Sequence, residues 1–268
     1  MRLEGRRVLV LGASSGLGRA SALEIAREGG RVCVAARRAD RLAEAVDEAG
    51  NGAFAVACDV RDEASCRSAV EAAVAELGGL DALVYAPGIS TFGPVEEISA
   101  QEWHDVFATN VFGFSLVLNA AIEPLTAARG RVVAISSITI DDSPPRPFQA
   151  TYPVSKLALE RLIEAWQGEH HAVGFTSIAS GDTLSEFGHG NDMERMVPIV
   201  QQWQQQGYLY GRMMDASSIG EQVVNAIAAR ETLRRIAITP AYPEAVGDGN
   251  VAETGRAAIE LNREKGAG

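Results

Sequence analysis

The chain has 268 residues, 47% of them hydrophobic, enough to fill a sizeable core within one large α/β domain. Its 35 Asp+Glu against 24 Lys+Arg leave a formal net charge of -11, which argues against a nucleic-acid backbone or an anionic membrane as partner. Cys33, Cys58 and Cys66 form no CxxC pair, and His104, His170, His171 and His189 lack ligand spacing, so neither disulfides nor a metal site is expected.

The N-terminus, MRLEGRRVLVLG, enters an apolar run at once and carries no signal-peptide cleavage pattern. No apolar run approaches the length of a membrane span, so the expected compartment is the cytoplasm. Seven short runs follow in order: 8–12, 32–36, 53–58, 82–86, 132–136, 175–179 and 236–239. They are rich in Val, Ile and Ala and do not alternate polar with apolar, the pattern of strands buried on both faces of a parallel sheet. Helical stretches lie between them, among them 62–78, with Asp62 as N-cap, and 152–166. This alternation predicts a doubly wound, mostly parallel seven-stranded α/β sheet with helices on both faces, in one Rossmann-like domain over residues 1–242. Two regions break the rhythm. DDSPPRP (141–147) is a proline-rich loop, and 184–214 is an insertion rich in Gln, Met and aromatics. In the small, polar tail, 243–268, a short helix over 251–264 is expected.

The first run ends in LGASSGLGRA, with Gly12, Gly16 and Gly18 where a strand turns into a helix. Glycines there allow a tight turn and close approach of phosphate, and the helix N-terminus supplies N–H donors and a positive dipole end. The spacing is G-x-x-x-G-x-G rather than the commoner G-x-G-x-x-G. At the end of the second run, where an NAD site has an acid for the ribose hydroxyl, stand Ala36, Arg37 and Arg38. A guanidinium binds a 2′-phosphate through paired N–H donors, so NADP(H) is expected over NAD(H). Asp59 is read either as an acceptor for an adenine amino group or as a cap of a turn.

Six motifs in one order then resemble the short-chain dehydrogenase/reductase family: GASSGLG (12–18), CDV (58–60), YAPG (85–88), NVFG (110–113), ISS (135–137) and YPVSK (152–156). The resemblance covers residues 5 to about 185 well. It implies a nicotinamide cofactor and interconversion of a carbonyl and a secondary alcohol. Carried over by position, the active-site roles fall on Asn110, Ser137, Tyr152 and Lys156. Ser137 would hold the substrate oxygen and Tyr152 would exchange a proton with it. Lys156 would lower the tyrosine pKa and bind the nicotinamide ribose, and Asn110 would support a proton-carrying water. Tyr152 and Lys156, at i and i+4 of a helix, share one face, and Pro153 suits its first turn. The cofactor would lie along Gly12, Ser14, Ser15, Gly16, Leu17 and Gly18, then Arg37, Arg38, Asp59, Val60, Ala86, Gly88, Tyr152, Lys156 and Gly181.

Departures accompany the match. Leu11 stands where the family has Thr, YAPG where it has NNAG, and Ser180-Gly181 where it has Pro-Gly. Losing both polar partners together avoids an unpaired buried group, so the first pair is read as an apolar replacement of a structural contact. Ser185 falls where a threonine near the nicotinamide amide is usual. Asp182 is read as a solvated loop carboxylate, with Glu186 adding charge nearby. The substrate side would be built from the loop between Ser137 and Tyr152 and from the insertion. There Phe187, Met193, Met196, Trp203, Tyr208, Tyr210, Met213 and Met214 either line an apolar pocket, for an apolar ketone or alcohol, or merely pack the insertion. The resemblance further implies a homotetramer or dimer, often through the helix beginning near Tyr152. The competing reading is a non-catalytic NADP(H)-binding sensor or scaffold of the same fold.

Overall fold

A computed structural model of the chain describes residues 1–184, 193–209 and 212–241. The expected helix over 251–264 and residues Ser185, Glu186, Phe187 and Tyr210 lie outside the described residues, as does the side chain of Met193. All seven apolar runs form strands: β1 (Arg7–Leu11), β2 (Arg31–Ala36), β3 (Phe54–Ala57), β4 (Ala82–Tyr85), β5 (Arg131–Ser137), β6 (Gly174–Ser180) and β7 (Arg235–Ile238). They make one parallel sheet in the order β3-β2-β1-β4-β5-β6-β7. The chain order reverses between β1 and β4, which opens a crevice at the carboxyl ends of these strands, where such sheets bind ligands.

The described helices are α1 (Gly16–Arg27), α2 (Ala39–Ala49), α3 (Glu63–Leu77), α4 (Ala100–Phe107), α5 (Gly113–Ala128), α6 (Thr151–Glu169), α7 (Met193–Gln205) and α8 (Ala216–Ala228). Side chains alternate along each strand, so the sheet has two cores. Leu9, Leu11, Cys33 and Leu83 face α3, α5 and α6. Val8, Val10, Val34 and Val84 face the layer of α1 and α8. The central strands are buried on both faces, but β3 and β7, the two edges, alternate half-buried and exposed positions. Asp62 caps α3 as expected, its carboxylate accepting from Ser65 N–H at 2.6 Å.

A single wide π-turn (Ala108–Phe112) joins α4 to α5 in a continuous helix, Ala100–Ala128, that is long and apolar enough (mean hydropathy 1.5) to cross a membrane. Here Phe114, Val117, Leu118, Ala121 and Leu125 are spent on the sheet core.

Candidate active site

The glycine turn is shaped by what a side chain would strike. Gly12 has φ +75 and Gly16 φ +54, the left-handed region that L residues rarely adopt. A Cβ on Gly18 would lie 2.3 Å from the Gly12 carbonyl oxygen and 3.1 Å from Ala86 Cβ; one on Gly12 would lie 2.9 Å from Pro87 N. The first turn of α1, the end of β1 and the segment after β4 therefore touch backbone to backbone. Arg38 donates from Nη2 to the hydroxyls of Ser14 (3.0 Å) and Ser15 (2.9 Å), which ties the end of β2 to this turn. Arg37 beside it is exposed. Leu17 packs partly against the α1 core, and Val60 is buried in the opposite one. Asp59 caps a turn in this structure. Its carboxylate accepts from Arg61 N–H (3.1 Å), Nε (3.0 Å) and Nη2 (2.7 Å), and the Arg61 hydrogen bonds hold its pKa down to about 2.

The altered YAPG segment has its own polar solution. Leu11 and Tyr85 are register partners on β1 and β4, and both are fully buried. Leu11 is an apolar replacement, as expected. Tyr85 is not wholly one, because a buried phenol needs a partner. Its hydroxyl donates to the Thr109 carbonyl at 2.5 Å, and its ring meets Phe114 edge-on at 5.4 Å. Thr109 sits in the π-turn that carries Asn110, so Tyr85 holds the turn of a candidate site residue. The Ser180 hydroxyl, in place of proline, bonds Thr183 Oγ1 (3.1 Å) and the Gly181 carbonyl. Gly181 itself leaves room for the Ile238 carbonyl, 2.9 Å from where a Cβ would stand.

The four carried-over residues are brought together. Asn110 is fully buried; its Oδ1 accepts from Ile89 N–H, and its Nδ2 donates to the Ile89 carbonyl and to Ser155 Oγ, all at 2.9 Å. With those groups engaged, the side chain ties the segment after Gly88 to α6. Lys156 is 1% exposed and donates from Nζ to the Ile135 carbonyl at 2.7 Å. A Cβ on Gly88 would stand 3.3 Å from that Nζ, so the glycine gives the ammonium its space. Burial lowers the Lys156 pKa to about 8. Ser137 ends β5, and its Oγ accepts from Thr139 N–H (3.2 Å) and Thr139 Oγ1 (3.0 Å).

Tyr152 stands in the first turn of α6, with the Lys156 ammonium 5.7 Å from its ring centroid. Burial pushes its pKa up to about 12, against the lowering effect of the Ser137 hydroxyl and of Arg146. This differs from the expected acidification by Lys156. That ammonium is turned to the Ile135 carbonyl, and burial of the phenol outweighs the neighbouring charges.

On the substrate side, packing accounts for much of the insertion. Trp203 is buried against Phe92, with Met196, Phe148 and Tyr208 around them, and Met214 belongs to the α1 core. An open cavity of about 250 Å³ lies between α7 and the Gly93–Pro94 and Phe148 segments, and none of the four catalytic candidates lines it. Asp182 is corrected. It is not a solvated carboxylate but half of a buried ion pair with Arg146 Nη1 at 2.7 Å. The sequence reading passed over Thr139, Ser155 and Arg146. Ser155 lies inside YPVSK, but a serine's partner across the fold has no local signal. Arg146 looks like an ordinary loop cation among prolines until the loop is closed.

The fold and this cluster define a class: a doubly wound α/β protein with a dinucleotide-type glycine turn beside a Ser-Tyr-Lys group. A family model described as short chain dehydrogenase matches residues 6–194. The chain belongs to the short-chain dehydrogenase/reductase family and is an oxidoreductase. It is 36% identical over 204 residues to an uncharacterised oxidoreductase of Methylorubrum extorquens, covering 72% of this chain and 81% of that one. It is 31% identical over 216 residues to the D-threitol dehydrogenase of Mycolicibacterium smegmatis, covering 74% and 80%. Among solved structures, a short-chain type dehydrogenase/reductase from Mycobacterium marinum superposes with a TM-score of 0.79 at 25% identity, covering 91% of this chain and 97% of that one.

Proposed function

We propose that the protein is an NADP(H)-dependent enzyme interconverting a small carbonyl compound and the corresponding secondary alcohol. One observation carries this reading. Lys156 Nζ lies against Gly88, at the crevice side of β4, while Tyr152 on the same helix face pairs with Ser137 at the end of β5. A proton donor, an oxygen-binding hydroxyl and a cation therefore border the cleft that begins at the glycine turn. The cradle fits a dinucleotide, since Gly12 and Gly18 leave backbone bare where a pyrophosphate approaches. Arg37 and Arg38 flank it with positive charge and favour a 2′-phosphate. When bound, the nicotinamide supplies or accepts the hydride. Ser137 holds the substrate oxygen, and Tyr152 gives it a proton in reduction. With its pKa raised by burial, Tyr152 keeps that proton at neutral pH and has it to give. Lys156 holds the ribose side of the cofactor, and Asn110 keeps the Gly88 segment against α6.

The assembly is proposed to be a homodimer or homotetramer formed through α4, α5 and α6. The support is apolar surface: Phe112, Val154 and Leu157 are exposed on helices that pack together. The catalytic test is Tyr152→Phe, which should bind NADPH as the parent does and lose at least about a hundredfold in turnover over a panel of ketones and secondary alcohols. Undiminished turnover would sink the assignment. Tighter binding of NADPH than of NADH, measured by titration, is the expected cofactor result; equal affinity refutes the role of Arg37 and Arg38.

A further inference from the structure

Arg146 is 3% exposed in a loop that an unfolded-chain view would leave in water. It reaches two carboxylates, Asp142 through Nε at 2.8 Å and Asp182 through Nη1 at 2.7 Å. The Trp203 ring of α7 covers it, with the guanidinium carbon 5.8 Å from the ring centroid. Trp203 Nε1 also donates to the Pro147 carbonyl at 2.7 Å, so α7 holds the loop twice. The pair spans 36 residues and joins the loop before α6 to the segment after β6, the two sides between which Tyr152 stands.

We propose that Arg146 and Asp182 are positioning residues for proton transfer at Tyr152: a buried ion pair that closes the 141–150 loop beside the phenol and balances two opposite charges against it. A buried guanidinium is tolerated only where carboxylates pair with it, so Asp182 and Asp142 together keep Arg146 close to the phenol. Their effects oppose one another, since Arg146 favours the phenolate and Asp182 disfavours it. The other groups facing Tyr152 are Ser137 from β5 and Lys156 from its own helix, with Asp142 behind Arg146 and Glu160 one turn beyond Lys156. The inference rests on Tyr152 as the acid/base, but its test does not need the substrate.

The experiment is an ultraviolet titration of tyrosinate in the cofactor-free protein. Each variant is measured against the same variant carrying Tyr152→Phe, so that only the Tyr152 signal remains. Asp182→Asn should lower the Tyr152 midpoint, and Arg146→Gln should raise it, each by about half a pH unit or more. The double variant, which removes both charges, should return towards the parent. Unmoved midpoints, or two single variants shifting the same way, overturn the proposal. If Arg146→Gln does not fold, the fall in Asp182→Asn and the return in the double variant decide alone. Failure of the Tyr152→Phe turnover test would instead strike the catalytic reading and leave this electrostatic result standing.

Discussion

Lys156 shows most plainly what a side chain owes to its surroundings. An ammonium on a helix reads as a solvated charge, yet this one is buried, bonded to the Ile135 carbonyl, and lowered from 10.5 to a pKa of about 8. Between pH 8 and 10.5 the unfolded chain keeps a proton that the folded chain has lost, so this group adds stability as pH rises through that window. Lys156→Met carries no such proton. Its stability relative to the parent should therefore shift in the parent's favour by about 3 kcal/mol across the window, read by urea denaturation at a series of pH values. A constant difference between the two proteins would mean that Lys156 is not desolvated as the fold implies. The same reasoning explains why Tyr152 holds its proton, and why the Tyr152→Phe turnover test is a test of proton donation.

At the scale of elements, the strands and most helices follow local rules. Asp62 is a clear case, because its carboxylate serves an N–H of α3 that has no partner within the helix. Asp62→Ala should cost about 1 kcal/mol of stability and leave NADPH affinity unchanged, since α3 packs away from the glycine turn; thermal melts and the same cofactor titration check both halves. Other elements do not answer to local rules. The π-turn at Ala108–Phe112 is held by Tyr85, 24 residues earlier in the chain, through a bond that no periodicity announces. The edge strands β3 and β7 keep strand form but give up burial on one face, because an edge is a property of sheet order rather than of sequence.

For the whole molecule, the apolar surface of Phe112, Val154 and Leu157 matters most. Each is about half exposed, and the proposed assembly would cover them with a second copy. Leu157→Glu should convert the proposed oligomer to monomer in light scattering, with its fold intact by circular dichroism. A parent that is already monomeric at working concentration would refute the interface.

The sequence by itself determined the seven strands and the glycine turn, and its resemblance to the family pointed to Asn110, Ser137, Tyr152 and Lys156 as the candidate site. Seven apolar runs, glycines at a strand-to-helix turn and a tyrosine four residues before a lysine are local patterns, and short-range backbone and side-chain geometry is enough to interpret them. The tertiary structure alone decided the strand order, the ion pairing of Asp59 with Arg61, the direction of the Tyr152 pKa and the burial of Arg146 with Asp182. Each of these depends on solvent being excluded by parts of the chain far apart in sequence. Desolvation is set by what surrounds a group from every side, and only the closed fold supplies those sides.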